Sequence, residues 1–269
     1  MILTDEKLAR LLEPFVQRIL VVEPIAASAR LLSELLKGVG AQEIHIVQTG
    51  FQALNTCTLL EPQVVFTEVG ANQDGLDFVR NLRRSSLACR EAPVIVVTAQ
   101  ATAGAIVAAR NAGVHEFLRK PFAARDLNRR LEAAILHSRD WIEAVGYVGP
   151  DRRRFNSADY QGPRKRRVDQ APLSPAARLD QALKIARSAI AALESDPAQA
   201  LRSLQVQTSQ LKALAAALPD PKLAAAASKL QAALSGASVE AGLSRPAIEA
   251  GAQDLWAFVV PEPETRAVA

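Results

Sequence analysis

Two carboxylates, a hydroxyl and an ammonium stand at matching places along this 269-residue chain. Glu23 follows the apolar run ILVV (19–22), Glu68 follows VVFT (64–67), Thr98 closes VIVVT (94–98) and Lys120 closes EFLRK (116–120). A carboxylate beside an ammonium makes a charge-assisted hydrogen bond, roughly twice as strong as a neutral one. The expected chemical unit is therefore a Glu68–Lys120 ion pair braced by a hydrogen bond from the Thr98 hydroxyl. The plainer alternative leaves Glu68 a solvated carboxylate.

Such residues can meet only if the runs before them become neighbouring strands. ILVV, EIHIV (43–47), VVFT, VIVVT and EFLRK are short and β-rich, and helical patterns separate them near 25–37, 50–60, 74–84, 102–112 and 123–138. Strand-length apolar runs alternating with helices indicate βαβ units and a parallel sheet. The expected fold is α/β: a five-stranded doubly wound parallel sheet over residues 18–140, with its site at the carboxyl ends of the strands.

The segments RILVVEPIAASARLLSELL, PQVVFTEVGANQDGLDFVRNLR, APVIVVTAQ and AGVHEFLRKPF occur in this order. Together they resemble the receiver domain of bacterial two-component response regulators, over about residues 18–138. The resemblance implies phosphoryl transfer to an acidic acceptor after the third strand. Two acids after the first strand and the acceptor hold Mg²⁺, while a hydroxyl and a lysine grip phosphoryl oxygens. Thr98 and Lys120 match, Phe117 takes the switch-aromatic place, and Glu23 matches the first acid in type. Pro24 falls where the second acid belongs and offers no ligand. Glu68 replaces the family's aspartate with a side chain one methylene longer, and in-line transfer tolerates little misplacement. This degenerate site is expected to hold no metal and to take no phosphoryl group. Asp74 is expected to cap the third helix of the domain rather than to act as a substitute acceptor.

Composition narrows the remaining classes. No run approaches the ~18–20 apolar residues of a membrane span, and the first residues lack a signal pattern, so a cytoplasmic protein is expected. Cys57 and Cys89 are expected to be reduced, buried thiols. His45, His115 and His137 show no metal-ligand spacing and read as ordinary surface or strand residues. Trp141 and Trp256 read as packing anchors. No cofactor is expected.

The net charge is +4, and residues 146–169, with seven basic and three acidic side chains, account for all of it. YVGPDRRR (147–154) and YQGPRKRR (160–167) form an internal repeat. Gly-Pro and dense charge disfavour helix and core, so 141–173 reads as an exposed basic linker carrying Arg152, Arg153, Arg154, Arg164, Lys165, Arg166 and Arg167. These cations suit an acidic protein surface. With Tyr147, Phe155 and Tyr160 they also suit nucleic acid.

Beyond the linker the sequence is helical. Ser174-Pro175, Asp196-Pro197 and Asp220-Pro221 are N-caps with proline at the first helical position. Seams recur at 3–4 spacing: Leu179, Leu183, Ala186, Ile190, Leu193; Leu204, Thr208, Leu211, Ala215, Leu218; Leu223, Ala227, Leu230, Leu234; and Ile248, Ala252, Leu255, Val259. A helical bundle over 174–260 is expected, between an N-terminal helical extension (1–17) and a disordered tail (261–269). Residues 174–269 contain neither histidine nor cysteine and show no enzymatic output. The reading is a non-enzymatic adaptor that binds protein partners, with homodimers possible through the receiver face. The alternatives are a nucleic-acid-binding regulator and a receiver that is still phosphorylated.

Overall fold

The computed structural model describes residues 5–69, 74–137, 139–152, 174–239 and 242–259. The described residues fall into two compact units. One runs to Ile142 and takes up the chain again at Tyr147; the other holds Glu143–Gly146 and the helices from Pro175 onward.

The first unit begins with α1 (Asp5–Leu12). It then alternates β1 (Arg18–Val22), α2 (Ala26–Lys37), β2 (Glu43–Val47), α3 (Gly50–Leu60), β3 (Val64–Glu68), α4 (Asp74–Arg84), β4 (Val94–Thr98), α5 (Ala103–Ala112), β5 (Glu116–Arg119) and α6 (Ala124–Ile135). The five strands form one parallel sheet in the order β2-β1-β3-β4-β5. Strand side chains alternate between its faces, and the core is split accordingly. Ile19, Val21, Val64, Phe66, Ile95, Val97 and Leu118 pack in one cluster with Leu8, Leu12, Leu32, Leu36, Leu127 and Leu131 from α1, α2 and α6. Leu20, Val22, Val65, Val94, Val96 and Phe117 pack in the other with residues of α3, α4 and α5. Burial on both faces is why these strands read as unbroken apolar runs. Each fully buried Val, Ile or Phe contributes roughly 1.5–3 kcal/mol. The strand order reverses at β1, so the carboxyl ends of β1 and β3 flank the crevice where a doubly wound sheet places its site.

The first ten residues of the expected linker are not a linker. β6 (Trp141–Ala144) and β7 (Tyr147–Pro150) pair as a two-stranded sheet, and all four residues of β7 are buried. In the first unit β7 lies against α4 and α5. Two glycines allow this close approach. A Cβ on Gly113 (φ +92°) would sit 2.6 Å from the Val148 carbonyl oxygen, and one on Gly149 (φ +150°) 2.7 Å from the Gly113 Cα. The Tyr147 hydroxyl donates to the Pro150 carbonyl at 2.6 Å. Arg152, expected on an exposed linker, donates to Asn111 at 3.1 Å and lies 4.3 Å over the Tyr147 ring. Arg153, Arg154, Arg164, Lys165, Arg166 and Arg167, the second Tyr-x-Gly-Pro copy and the tail from Pro261 lie outside the described residues.

The second unit contains α7 (Pro175–Ala191), α8 (Pro197–Ala217), α9 (Pro221–Leu234) and α10 (Arg245–Ala252), then a 3-10 helix over Gln253–Phe258. The three expected caps form. Ser174 accepts from Ala177 N–H at 3.2 Å, Asp196 from Gln199 N–H at 3.3 Å, and Asp220 from Lys222 and Leu223 N–H at 2.9 and 3.0 Å. α7 packs on α8, α8 on α9, α9 on α10, and α10 back on α7, which closes a bundle around the expected seams. Leu218 departs from its seam: it follows the end of α8 and is exposed. In this unit the buried Glu143 carboxylate accepts from the Gln199 amide at 2.7 Å.

Candidate functional site

β1, β3 and β5 bring Glu23, Glu68 and Lys120 to one edge of the sheet. The Lys120 ammonium donates to the Glu23 carboxylate at 2.6 Å and also to that of Glu68. Glu23 is 2% exposed, and its second oxygen accepts from Ile25 N–H at 3.1 Å. Each Glu23 oxygen thus has a donor within the chain. The ion pair expected for Glu68 is present, and Glu23, expected only as a residue matching in type, is the lysine's second partner.

Thr98 does not brace the pair. Its hydroxyl donates to the Val69 carbonyl at 3.0 Å and accepts from Gln100 N–H at 3.1 Å. The register explains this: β3 and β4 align Glu68 with Val97, so Thr98 stands one residue past Glu68. Pro24 is exposed and brings no oxygen into the crevice. Phe117 is buried in the same cluster as Val96, its partner on β4. Asp74 opens α4 as an acid of its first turn, and its carboxylate accepts from the Gly50 N–H at 2.8 Å, at the start of α3.

One ammonium serves two carboxylates, leaving the cluster one negative charge in excess. Burial first, then the neighbouring Glu23 carboxylate, raise the Glu68 carboxyl above its ordinary range, against the opposing pull of Lys120. Burial alone lowers Lys120, but its bonds to Glu23 and Glu68 prevail and hold it above the usual lysine value. Glu68 therefore takes up a proton more readily than a free carboxyl, and Lys120 stays charged at neutral pH.

This arrangement does not fit Mg²⁺. The ion demands oxygen ligands in near-octahedral geometry. Here both carboxylates are engaged by an ammonium, and the residue after Glu23 is a proline. Among the described residues, no group of three or more His, Cys, Asp or Glu is placed to hold a metal ion.

Sequence reasoning missed a second polar cluster, at the amino-terminal end of the sheet. Arg83 of α4 is 1% exposed, yet among the described residues no carboxylate meets its guanidinium at hydrogen-bond distance. It donates to the carbonyls of Gly113 at 3.0 Å, Ala92 at 2.9 Å and Arg90, and to His115 Nδ1 at 3.1 Å. Its carbon centre lies 5.3 Å from the Trp141 ring, so this tryptophan packs as expected. Burial pulls the guanidinium down to about 9, which leaves it cationic at neutral pH. Val94 N–H donates to the same His115 nitrogen at 3.2 Å. Two donors on Nδ1 fix the neutral ring with its proton on Nε2. His115 is buried, not the surface or strand residue expected. Burial first, then Arg83 and Arg139, hold it well below the ordinary histidine value. A buried cation at the Arg83–Arg84 end of a helix leaves no mark in a single sequence.

Residues 19–132 match the response regulator receiver domain. The chain is 31% identical over 118 residues to the KDP operon transcriptional regulatory protein KdpE of Escherichia coli, covering 44% of this chain and 50% of that protein. It is 30% identical over 125 residues to the DNA-binding response regulator MtrA of Mycobacterium leprae, covering 46% and 53%. It thus spans about half the length of the curated relatives it matches. Among solved structures, a sensor protein from Polaromonas sp. JS666 is 30% identical, with 45% of this chain and 96% of that one covered at a TM-score of 0.41.

Proposed function

We propose, from the premise that residues 19–132 are a response regulator receiver domain, that the chain is a phosphorylation-independent adaptor of bacterial two-component signalling. It acts in the cytoplasm through protein–protein contacts and without enzymatic turnover. The observation that carries this reading is the Lys120 ammonium bound between Glu23 and Glu68. In the receiver chemistry that the resemblance implies, the lysine is free to grip a phosphoryl oxygen and the acids are metal ligands. Here the three groups satisfy one another and hold the crevice in one state. Partners would meet the face of α5 and β5, the surface the resemblance implies, or the helical unit. The receiver face would also carry any homodimer. No helix among the described residues is long and apolar enough to cross a membrane.

Nucleic-acid binding is the second reading, suggested by the excess positive charge of 146–169 and by a relative named as DNA-binding. It predicts affinity that falls steeply with salt as phosphate contacts release counterions.

Capture of partners by the full chain tests the adaptor reading. The same proteins, in the same amounts, are expected with and without Mg²⁺ and a small-molecule phosphodonor. A partner set that changes with the phosphodonor would refute it.

A further inference from the structure

At the amino-terminal end of the parallel sheet, away from Glu68, the first unit has an open cavity of about 540 Å³. Pro62, Cys89, His115, Arg139 and Trp141 are among the residues that line it. Cys89 belongs to the short 3-10 helix Ala88–Glu91 between α4 and β4, and it is 6% exposed. Its Sγ lies 3.7 Å from the carbonyl oxygen of Cys57, to which it donates, and the two residues share one apolar cluster. Cys57, on α3, is 0% exposed and does not line the cavity. One thiol of a contacting pair therefore faces an open cavity while its neighbour lies behind it in the core.

We propose that Cys57 and Cys89 form an oxidisable dithiol, in which Cys89 reacts with a small peroxide entering the cavity and Cys57 resolves the product into an intramolecular disulfide. In the first step the Cys89 thiolate sulfur attacks one peroxide oxygen. The S–O bond forms, the O–O bond breaks, and the departing hydroxide takes a proton to become water. In the second step the Cys57 sulfur attacks the Cys89 sulfenic acid. The S–S bond forms, the S–O bond breaks, and the leaving hydroxide takes the Cys57 proton as a second water. The two thiols give up two electrons and hydrogen peroxide is reduced to two waters.

The electrostatics assign the same order as the access. Interaction with the neighbouring Cys57 thiol lowers the Cys89 thiol despite its burial, and Arg83 adds to the effect. The same interaction, with burial, raises the Cys57 thiol. The accessible sulfur is thus the readier thiolate, and the thiolate is the nucleophile. The disulfide would staple α3 to the segment between α4 and β4, once side-chain rotation closes the contact to about 2.05 Å.

The test treats the reduced, folded full chain with hydrogen peroxide, then counts free thiols after quenching and denaturation and measures intact mass. The wild type is expected to lose both thiols together and the mass of two hydrogen atoms, reversibly with dithiothreitol. Cys57→Ala should accumulate a dimedone-reactive sulfenic acid on Cys89. In Cys89→Ala the remaining thiol should react at least about tenfold more slowly. Retention of both thiols by the folded wild type would overturn the proposal, whether or not the variants fold. So would oxidation of Cys57 at an unchanged rate in Cys89→Ala, or oxidation that speeds up only as urea unfolds the chain.

Discussion

Lys120 divides a single ammonium between Glu23 and Glu68, and the consequence is electrostatic dependence in both directions. Replacing it with methionine would leave two carboxylates facing each other in a largely buried crevice. Lys120→Met should therefore cost about 2–3 kcal/mol in urea unfolding at neutral pH. A loss below about 0.5 kcal/mol would mean that the groups are solvated. The lost stability should return on acidification, because the Glu68 carboxyl, raised in the folded state, binds a proton that relieves the repulsion. His115 makes an opposite prediction for the wild type. Its folded value lies well below the ordinary 6.5, so the folded state refuses a proton that the unfolded chain accepts. Stability should be complete above pH 6.5 and fall as pH drops from there toward the folded value. The slope from this group is at most about 1.4 kcal/mol per pH unit. His115→Asn, which keeps an acceptor near Nδ1, should remove its share of that slope. An unchanged pH profile would contradict the assignment of a buried neutral ring.

Among the elements, the β6–β7 hairpin shows most clearly what sequence reasoning can and cannot reach. In sequence, Gly149-Pro150 reads as linker punctuation because Gly-Pro breaks helices. The same pair also suits a strand that lies against another backbone, and only the Gly113–Gly149 approach decides between the two. Gly149→Ala should cost about 1–3 kcal/mol through overpacking against backbone and alter Trp141 emission; full stability with unchanged emission would place the strand elsewhere. Arg83→Met should cost about 3 kcal/mol or more, since it leaves buried carbonyls without donors. Little change on urea unfolding would show that those carbonyls are hydrated. The five strands, by contrast, were legible, because burial on both faces leaves continuous apolar runs. The Ser-Pro and Asp-Pro helix starts were legible because the cap and the proline each act locally. The site was legible in part. Strand ends located Glu23, Glu68 and Lys120, but the one-residue offset of Thr98 depends on sheet register. The sharing of Lys120 with Glu23 depends on β1, β3 and β5 meeting in space.

At the scale of the whole molecule, each unit closes its own apolar core, and the receiver-type site lies within the first. The central claim is that this site has exchanged metal and phosphoryl chemistry for a standing ion-pair cluster. Intact mass after incubation with a small-molecule phosphodonor and Mg²⁺ tests it most directly, with the full chain beside a Pro24→Asp, Glu68→Asp double variant. The account predicts that the wild type gains no mass, and that any phosphoryl group appears only on the variant, where both missing aspartates have been restored. A phosphoryl group on the wild-type chain would contradict it, and Asp74 would become the first acceptor to examine.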